Sequence, residues 1–200
     1  KIMMNLAELA KAVEETCTKS GAFILQQKNK VANRDIELKS LNSLVSYVDK
    51  QAEEQIVESL KKMIPEAGYI AEEGTEKNRG EVYNWIIDPL DGTVNYANNI
   101  PIFSVSIALS RNGQLIAGAV YQPILDELFS AELGNGAKLN GESIIVSNKS
   151  DMNTSLLVTG FPYDINNDPK NAIKSFTNII KRGIPIRRLG SAALDLAYVA

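Results

Sequence analysis

Apolar residues recur at helical spacing in two stretches near the start of the chain. The first stretch predicts an amphipathic helix over residues 1–25. Its apolar face comprises Leu6, Leu9, Val13, Cys17 and Ile24. A second amphipathic helix follows and ends at Pro65, because proline cannot continue a helix. Its apolar positions are Val48, Ala52, Ile56, Leu60 and Met63. Residues 26–40 are polar and of mixed charge, which indicates a solvated loop between the helices.

Beyond Pro65 the apolar period changes from helical to strand-like. We expect short strands at residues 69–71, 83–87, 104–110, 114–122, 128–131 and 144–146. Asn112-Gly113 is typical of the tight turn of a β-hairpin. The glycines at 134, 136 and 141 do not spell a phosphate-binding fingerprint, and their Asn-Gly pairs are typical of turns. The region therefore predicts an antiparallel run of strands.

The pattern changes again near residue 150. We expect strands at 156–158 and 186–189, a helix that opens at Asp168-Pro169, and an Ala/Leu-rich helix that reaches Ala200. Two helices, a run of strands and then alternating strand and helix indicate a layered α/β protein. We expect residues 1–149 to form an N-terminal α+β domain and residues 150–200 to begin a C-terminal α/β domain.

The amino-acid composition limits the kinds of site that this chain can form by itself. The 200 residues contain no histidine and one cysteine, which excludes His-dependent triads, His-metal sites and a disulfide framework within this chain. We expect Cys17 to be a packing residue of the first helix, since a buried free cysteine behaves as a small hydrophobe. The net charge of −3 argues against a strongly basic nucleic-acid surface. No window has the roughly 18 apolar residues of a membrane helix, and the N-terminus lacks a signal-peptide core.

The segment from Trp85 to Thr93 has the greatest potential for chemistry. An apolar strand delivers Asp88 and Asp91 onto a turn that contains Pro89 and Gly92. Gly92 lets the backbone approach a ligand closely. The two carboxylates and the Leu90 carbonyl can then face one point, an all-oxygen set of the kind that Mg²⁺ prefers. An Asx-type turn in which aspartate caps a helix is the purely structural alternative.

A second acidic pair, Glu72-Glu73, follows the strand predicted at 69–71. Alone it is typical of a solvated strand end. Four carboxylates at the ends of two neighbouring strands would repel one another, and a bound cation is the usual compensation. The pair therefore favours a metal site over a purely structural turn.

These segments, together with Gly190–Asp195, resemble the inositol monophosphatase family, whose members are Mg²⁺-dependent, lithium-inhibited phosphatases of small sugar-like phosphates. The resemblance runs from Leu38 to Ala200, and the string Asp-Pro-Leu-Asp-Gly-Thr at 88–93 is specific to the wider superfamily. The continuation at 94–108 is more similar to the inositol monophosphatase branch than to the nucleotide-bisphosphate phosphatase branch. The resemblance implies an αβαβα sandwich of the inositol monophosphatase and sugar phosphatase type, with the second sheet incomplete in this chain.

The resemblance also implies a metal centre with two or three Mg²⁺ ions, or Mn²⁺. Glu72 would bind the first ion and, through water, a third. Asp88 would bridge two ions, the Leu90 carbonyl would hold the first, and Asp91 would hold the second. The ions would bind phosphate oxygens, activate a water for in-line attack and stabilise the leaving alkoxide.

Substrate contacts are implied in the same way. Gly92 and Thr93 would meet the phosphate at the start of the following helix. Thr93, with Glu73 behind it, would orient the attacking water, so the implied catalytic residues are Glu72, Glu73 and Thr93. The implied substrate-binding residues are Glu72, Leu90, Asp91, Gly92, Thr93, Gly190, Ser191 and Ala192. Of these, the resemblance implies that Gly190, Ser191 and Ala192 line the polyol side of the substrate pocket.

The sequence also departs from the family pattern. Where the family has Asp-Leu-Val-Thr and a later Asp, Ser43–Ser46 replaces the run and only Asp49 matches. Lys39 falls near the loop lysine of the family, so Lys39 and Asp49 are accessory candidates, with a scaffold role as the alternative. The family's later Trp-Asp motif does not occur, and we therefore expect a truncated form of a longer protein.

The resemblance predicts a homodimer that hydrolyses inositol monophosphate or a similar polyol phosphate. The single cysteine fits a reducing compartment, so we expect the protein in the cytoplasm. Such an enzyme needs no nucleic-acid or membrane partner. The alternative is a non-catalytic regulatory protein of the same fold that binds RNA polymerase or another protein. The clustered carboxylates favour the enzyme, because a binding module has no need of them.

Overall fold

Two long helices open the fold, and the computed structural model describes residues 5–32, 38–74, 78–161, 165–167 and 171–200. The helices are α1 (Leu6–Ala32), α2 (Leu38–Met63), α3 (Thr93–Ala97), α4 (Ala172–Lys181) and α5 (Ala192–Ala197). The strands are β1 (Gly68–Ala71), β2 (Tyr83–Asp91), β3 (Ser104–Arg111), β4 (Gln114–Gln122), β5 (Glu127–Glu132), β6 (Gly136–Leu139), β7 (Glu142–Ile144), β8 (Leu157–Val158) and β9 (Ile186–Arg187). Two short 3₁₀ turns lie at Met152–Thr154 and Ile165–Asn167.

The loop predicted over residues 26–40 is wrong for most of its length. Helix α1 continues to Ala32 and α2 already begins at Leu38, while residues 33–37 lie outside the described part of the chain. Glutamine and lysine are good helix formers, so this polar stretch continues the helix without an apolar stripe. The apolar period marks where a helix packs and does not mark where it ends.

Strands β1 to β7 form one sheet in sequence order. Strand β1 pairs with β2 in parallel, and each later neighbour is antiparallel. The expected antiparallel run is therefore correct from β2 onward and wrong for β1. Strand β6 was not predicted, because its four residues lie between glycine-rich turns. The strand expected at 144–146 is β7, which ends at Ile144.

Helices α1 and α2 cover one face of this sheet, and the core lies between them and β2–β4. Val105, Ile107 and Leu109 of β3 are fully buried, as their alternation with polar residues predicts. Cys17 is also fully buried, its Sγ lies 3.3 Å from the Val105 carbonyl oxygen, and burial raises its pKa. The packing role expected for Cys17 is confirmed.

The last fifty residues form a smaller α/β arrangement. Strands β8 and β9 pair in parallel in a separate two-stranded sheet, and α5 contacts β3 and β4 of the large sheet. Helix α4 begins at Ala172, while the expected opening at Asp168-Pro169 lies outside the described residues. Helix α5 ends at Ala197 and does not reach Ala200 as a helix. None of the helices described here is long and apolar enough to cross a membrane.

Gly21 provides a test of how α1 packs on the sheet. A Cβ at this position would overlap the buried ring of Tyr121 in β4. Alanine favours a helix over glycine by about 1 kcal/mol, but overpacking a core costs about 1–3 kcal/mol. We expect Gly21→Ala to lower the free energy of unfolding in urea by about 1 kcal/mol or more.

Lys19→Ala is the control, because Lys19 lies on the exposed face of the same helix turn. Its free energy of unfolding should stay within about 0.5 kcal/mol of wild type. A Gly21→Ala protein that is more stable than wild type would show that α1 does not pack this closely on β4.

Candidate active site

The candidate site lies where β1 and β2 end side by side. Their parallel pairing places Ala71 opposite Ile87, so Glu72, which follows β1, comes next to Asp88. The Glu72 N–H donates to the Ile87 carbonyl at 3.3 Å, which extends this pairing by one residue. The parallel pairing is therefore what brings together acidic residues that lie far apart in the sequence.

A bulge in β2 turns its last residues toward the site. Asp88 pairs with Ser106 of β3 and Asp91 pairs with Ser104, so β2 uses one residue more than β3 over this interval. Pro89 lies in the interval and has no N–H to donate to a neighbouring strand. A bulge bends the strand and changes the direction of its side chains, which explains why Asp88 and Asp91 border the same cavity.

Asp88 is the most strongly perturbed carboxyl group of the site. Burial raises its pKa to about 8, with smaller contributions from the negative charges of Glu72 and Asp91. Glu72 lies within hydrogen-bonding reach of the Asp88 side chain, and the Leu90 N–H donates to Asp88 Oδ1 at 3.1 Å. Without a cation, proton binding relieves this repulsion, so Asp88 holds its proton to a higher pH than an ordinary aspartate.

The turn after β2 requires glycine. Gly92 has a φ of 97°, and a Cβ there would lie 2.9 Å from the carbonyl oxygen of Ile102. The turn starts the short helix α3, and the Thr93 hydroxyl donates back to the Leu90 carbonyl at 3.0 Å. This hydrogen bond fixes Thr93 beside the carbonyl that the family resemblance makes a metal ligand.

Asp91 holds the start of α5. Its Oδ2 accepts hydrogen bonds from the Ser191 hydroxyl at 2.8 Å and from the Ala193 N–H at 2.6 Å. Ser191 is fully buried, and its Oγ also lies 3.1 Å from the Oγ of Ser104. Asp91 therefore joins the β2 turn to a segment one hundred residues later in the sequence.

A cavity of about 290 Å³ lies between these segments. Its lining includes nine residues predicted from the sequence: Glu72, Asp88, Leu90, Asp91, Gly92, Thr93, Gly190, Ser191 and Ala192. Sequence reasoning assigned no role to five further lining residues, which are Val94, Asn95, Phe161, Arg188 and Asp195. Asn95 and Asp195 stand inside motifs that were recognised, so their polar side chains were available as a signal. Phe161 and Arg188 carry no such signal.

Two predicted accessory or catalytic residues, Glu73 and Asp49, are absent from the described lining of this cavity, and a third, Lys39, has no described side chain. The Glu73 N–H donates to the Glu53 carboxylate of α2 at 2.7 Å, so Glu73 faces that helix. Asp49, one turn before Glu53, is buried, and burial followed by the charges of Glu73, Glu72 and Glu53 raises its pKa to about 7. Lys39 lies in α2, and its side chain is outside the described part of the chain.

The oxygen donors of the site fit a metal ion in part. Among the described residues, no three Asp, Glu, Cys or His side chains form a group that could hold an ion. The carboxylate of Asp91 is engaged by α5. Glu72 and Asp88 nevertheless adjoin, and their carboxylate oxygens are ligands that suit Mg²⁺ or Mn²⁺. An ion held by Glu72 and Asp88 fits these residues, while one at Asp91 would compete with Ser191 and Ala193.

Comparison with known proteins identifies the class and then the family. The fold is that of solved phosphatase structures, including the inositol monophosphatase from Anabaena, with a TM-score of 0.83 at 37% identity over 98% of this chain and 72% of that one. The model of the inositol monophosphatase family matches residues 5–200, and the chain belongs to this family.

Relatives of this chain carry two kinds of name. It is 36% identical to the inositol-1-monophosphatase of Mesorhizobium japonicum, over 98% of this chain and 74% of the relative. It is 40% identical to the Nus factor SuhB of Pasteurella multocida, over 99% of this chain and 72% of the relative. These relatives cover the same part of this chain and differ in the function that their names state.

The raised pKa of Asp88 predicts how stability depends on pH without metal. Between its ordinary value of 3.8 and about 8, the unfolded chain loses this proton while the folded protein keeps it. The free energy of unfolding must then fall as pH rises through this interval. Since 1 in pKa corresponds to about 1.4 kcal/mol, we expect Asp88→Asn to reduce the fall between pH 5 and pH 8 by at least about 1 kcal/mol.

The measurement is urea unfolding in EDTA at the two pH values. Glu142→Gln, at an exposed position of β7, is the control and should leave the pH dependence unchanged. Equal pH dependence in wild type and Asp88→Asn would mean that Asp88 is an ordinary, solvated carboxylate.

Proposed function

We propose that the protein is a Mg²⁺-dependent phosphomonoesterase that hydrolyses inositol monophosphate or a similar small polyol phosphate. The observation that carries the proposal is the adjacency of Glu72 and Asp88 in a cavity that the Thr93 hydroxyl and the start of α5 also border. The names of several relatives and the family membership support the reaction class. The branch-specific continuation at 94–96 supports a polyol phosphate over a nucleotide substrate.

The charge of the cavity explains why a cation is needed. Glu72, Asp88, Asp91 and Asp195 all line it, and Arg188 is the single cationic residue among its described lining residues. Two like charges 4 Å apart repel by about 4 kcal/mol at the effective dielectric of a protein surface. A phosphate dianion would therefore be excluded from this cavity unless positive charge were bound with it.

Four residues of the cavity have a part in the proposed reaction. Mg²⁺, when bound, supplies positive charge for the phosphate oxygens and lowers the pKa of a water. Glu72 and Asp88 hold the cation, and the Leu90 N–H orients the Asp88 carboxylate through its hydrogen bond. The Thr93 hydroxyl, held by the Leu90 carbonyl, positions the attacking water. No side chain becomes covalently attached to phosphate, which suits a chain without histidine.

The first test is phosphate release from inositol 1-phosphate with and without Mg²⁺. We expect release that requires Mg²⁺ and is inhibited by lithium. Asp88→Asn keeps the shape of the side chain but removes its charge, and we expect kcat to fall by roughly 10²–10³, the usual effect of losing one electrostatic contact to the transition state.

Glu142→Gln, which changes a carboxylate on the opposite edge of the large sheet, should retain the wild-type rate. Hydrolysis that persists in EDTA, or an Asp88→Asn protein as active as wild type, would refute the proposal. Hydrolysis of 3′-phosphoadenosine phosphates alone would refute the polyol assignment and leave the reaction class intact.

A second candidate function is favoured by the relatives that are named Nus factor SuhB. On this proposal the protein binds RNA polymerase, and the carboxylates are structural. Purified RNA polymerase should then bind the wild-type protein and Asp88→Asn with equal affinity in a fluorescence anisotropy titration. Absence of binding together with Mg²⁺-dependent phosphate release would reject the second candidate.

The homodimer remains a separate proposal, which light scattering at micromolar concentration tests.

A further inference from the structure

Asn95 connects the two walls of the cavity. It lies in α3, two residues after Thr93, and its side chain is buried although the helix is at the surface. Its Nδ2 donates to the carbonyl oxygens of Ile102 and Leu189, both at 2.7 Å. The Leu189 contact joins residues 94 positions apart in the sequence. One amide group therefore ties the wall that carries Thr93 to the wall that carries Gly190–Ala192.

Gly190 fits against the same side chain. It has a φ of 95°, and a Cβ at this position would lie 2.7 Å from Asn95 Nδ2 and 3.1 Å from Asn95 Oδ1. The Gly190 backbone thus packs directly on the Asn95 amide. The backbone of 189–190 is held by hydrogen bonding and by close packing against a single residue.

Only asparagine meets the chemistry of this position. Two carbonyl oxygens need two N–H donors on one short side chain, which the asparagine amide provides. An aspartate of the same size would bring carboxylate oxygens up to two carbonyl oxygens. The two carbonyls and the carboxylate would then all be left without a hydrogen-bond partner. Serine and threonine have one donor each, so neither can satisfy both carbonyls.

We propose that Asn95 is a positioning residue for the substrate, which sets the distance between the phosphate end of the cavity and the wall that faces the polyol. The inference rests on the proposed phosphatase function, and it deepens that function by giving a part in polyol recognition to Asn95, whose side chain holds the backbone of the far wall. Asp91 holds α5 through Ser191 and Ala193, so Asn95 and Asp91 fix the two sides of Gly190 independently.

The kinetic test separates the two ends of the substrate. In Asn95→Ala, we expect the KM for inositol 1-phosphate to rise about tenfold, because the wall facing the polyol is no longer fixed. The inhibition constant of inorganic phosphate, which occupies the phosphate end alone, should stay within about twofold of wild type. A merely structural defect would change both constants together or neither.

Asn98→Ala is the matched control. Asn98 is exposed, lies three residues further on, and donates its side-chain amide to the local Val94 carbonyl at 2.8 Å. It makes no bond to the 189–190 segment, so its KM and phosphate inhibition constant should equal those of wild type. A change in Asn98→Ala as large as in Asn95→Ala would overturn the proposal.

Gly190→Ala approaches the same contact from the other wall. In wild type the new methyl group would collide with the Asn95 amide, and we expect KM to rise about tenfold. In the Asn95→Ala background the space is free, so the same substitution should raise KM by no more than about threefold. Backbone strain at a positive φ is present in both backgrounds and cancels in the comparison. Equal effects of Gly190→Ala in both backgrounds would overturn the proposal.

Amide hydrogen exchange provides a readout that needs no activity. We expect Asn95→Ala to accelerate exchange at residues 189–193 at least about tenfold, with β2 and β3 unchanged. If wild type releases no phosphate, the proposed function fails and substrate positioning fails with it, while exchange still decides whether Asn95 holds the 189–193 segment in place. Faster exchange confined to 189–193 supports it, and unchanged or uniformly faster exchange overturns it. If Asn95→Ala does not fold, exchange at 189–193 in Gly190→Ala gives the same decision.

Discussion

The parallel pairing of β1 with β2 is the constraint on which the rest of the site depends. It places Glu72 beside Asp88, and two carboxyl groups in a partly buried place cannot both be ionised without compensation. The fold maintains this arrangement through a large core between α1, α2 and the sheet. The repulsion is therefore borne by a rigid scaffold, which suits a site that takes up a cation reversibly.

The second part of the site depends on polar contacts more than on packing. Asp91, Ser191 and Ser104 form one connection between the large sheet and α5, and Asn95 forms the other. The two connections start on either side of the turn at Gly92, at the last residue of β2 and in α3. The bulge in β2, the glycine turn and the short helix α3 thus act together. They place this short segment of the chain beside the carboxylates of the site and beside backbone groups from a distant part of the sequence.

The sequence predicted which residues line the site better than it predicted how they are arranged. The string at 88–93 identified the carboxylates and the close turn, because these depend on local residue types. The parallel direction of β1 was not predictable from alternation, which is the same in both kinds of sheet. The engagement of Asp91 by α5 and the bridge made by Asn95 involve residues about one hundred positions apart, and no local pattern encodes such contacts. The long polar end of α1 was not predicted, because the period of the apolar residues reports which part of a helix is buried and carries no information about an exposed helical end.

Cys17 gives the molecule a practical property. It is the one cysteine among the 200 residues, it is fully buried, and burial raises its pKa, so little of it is present as the thiolate that reacts with alkylating reagents. A cysteine introduced on the cavity rim, at Arg188 for example, would then be the single reactive thiol of the folded protein. Cys17 therefore does not need to be removed before a fluorophore or spin label is attached to the introduced cysteine. The label would then report on the cavity in solution.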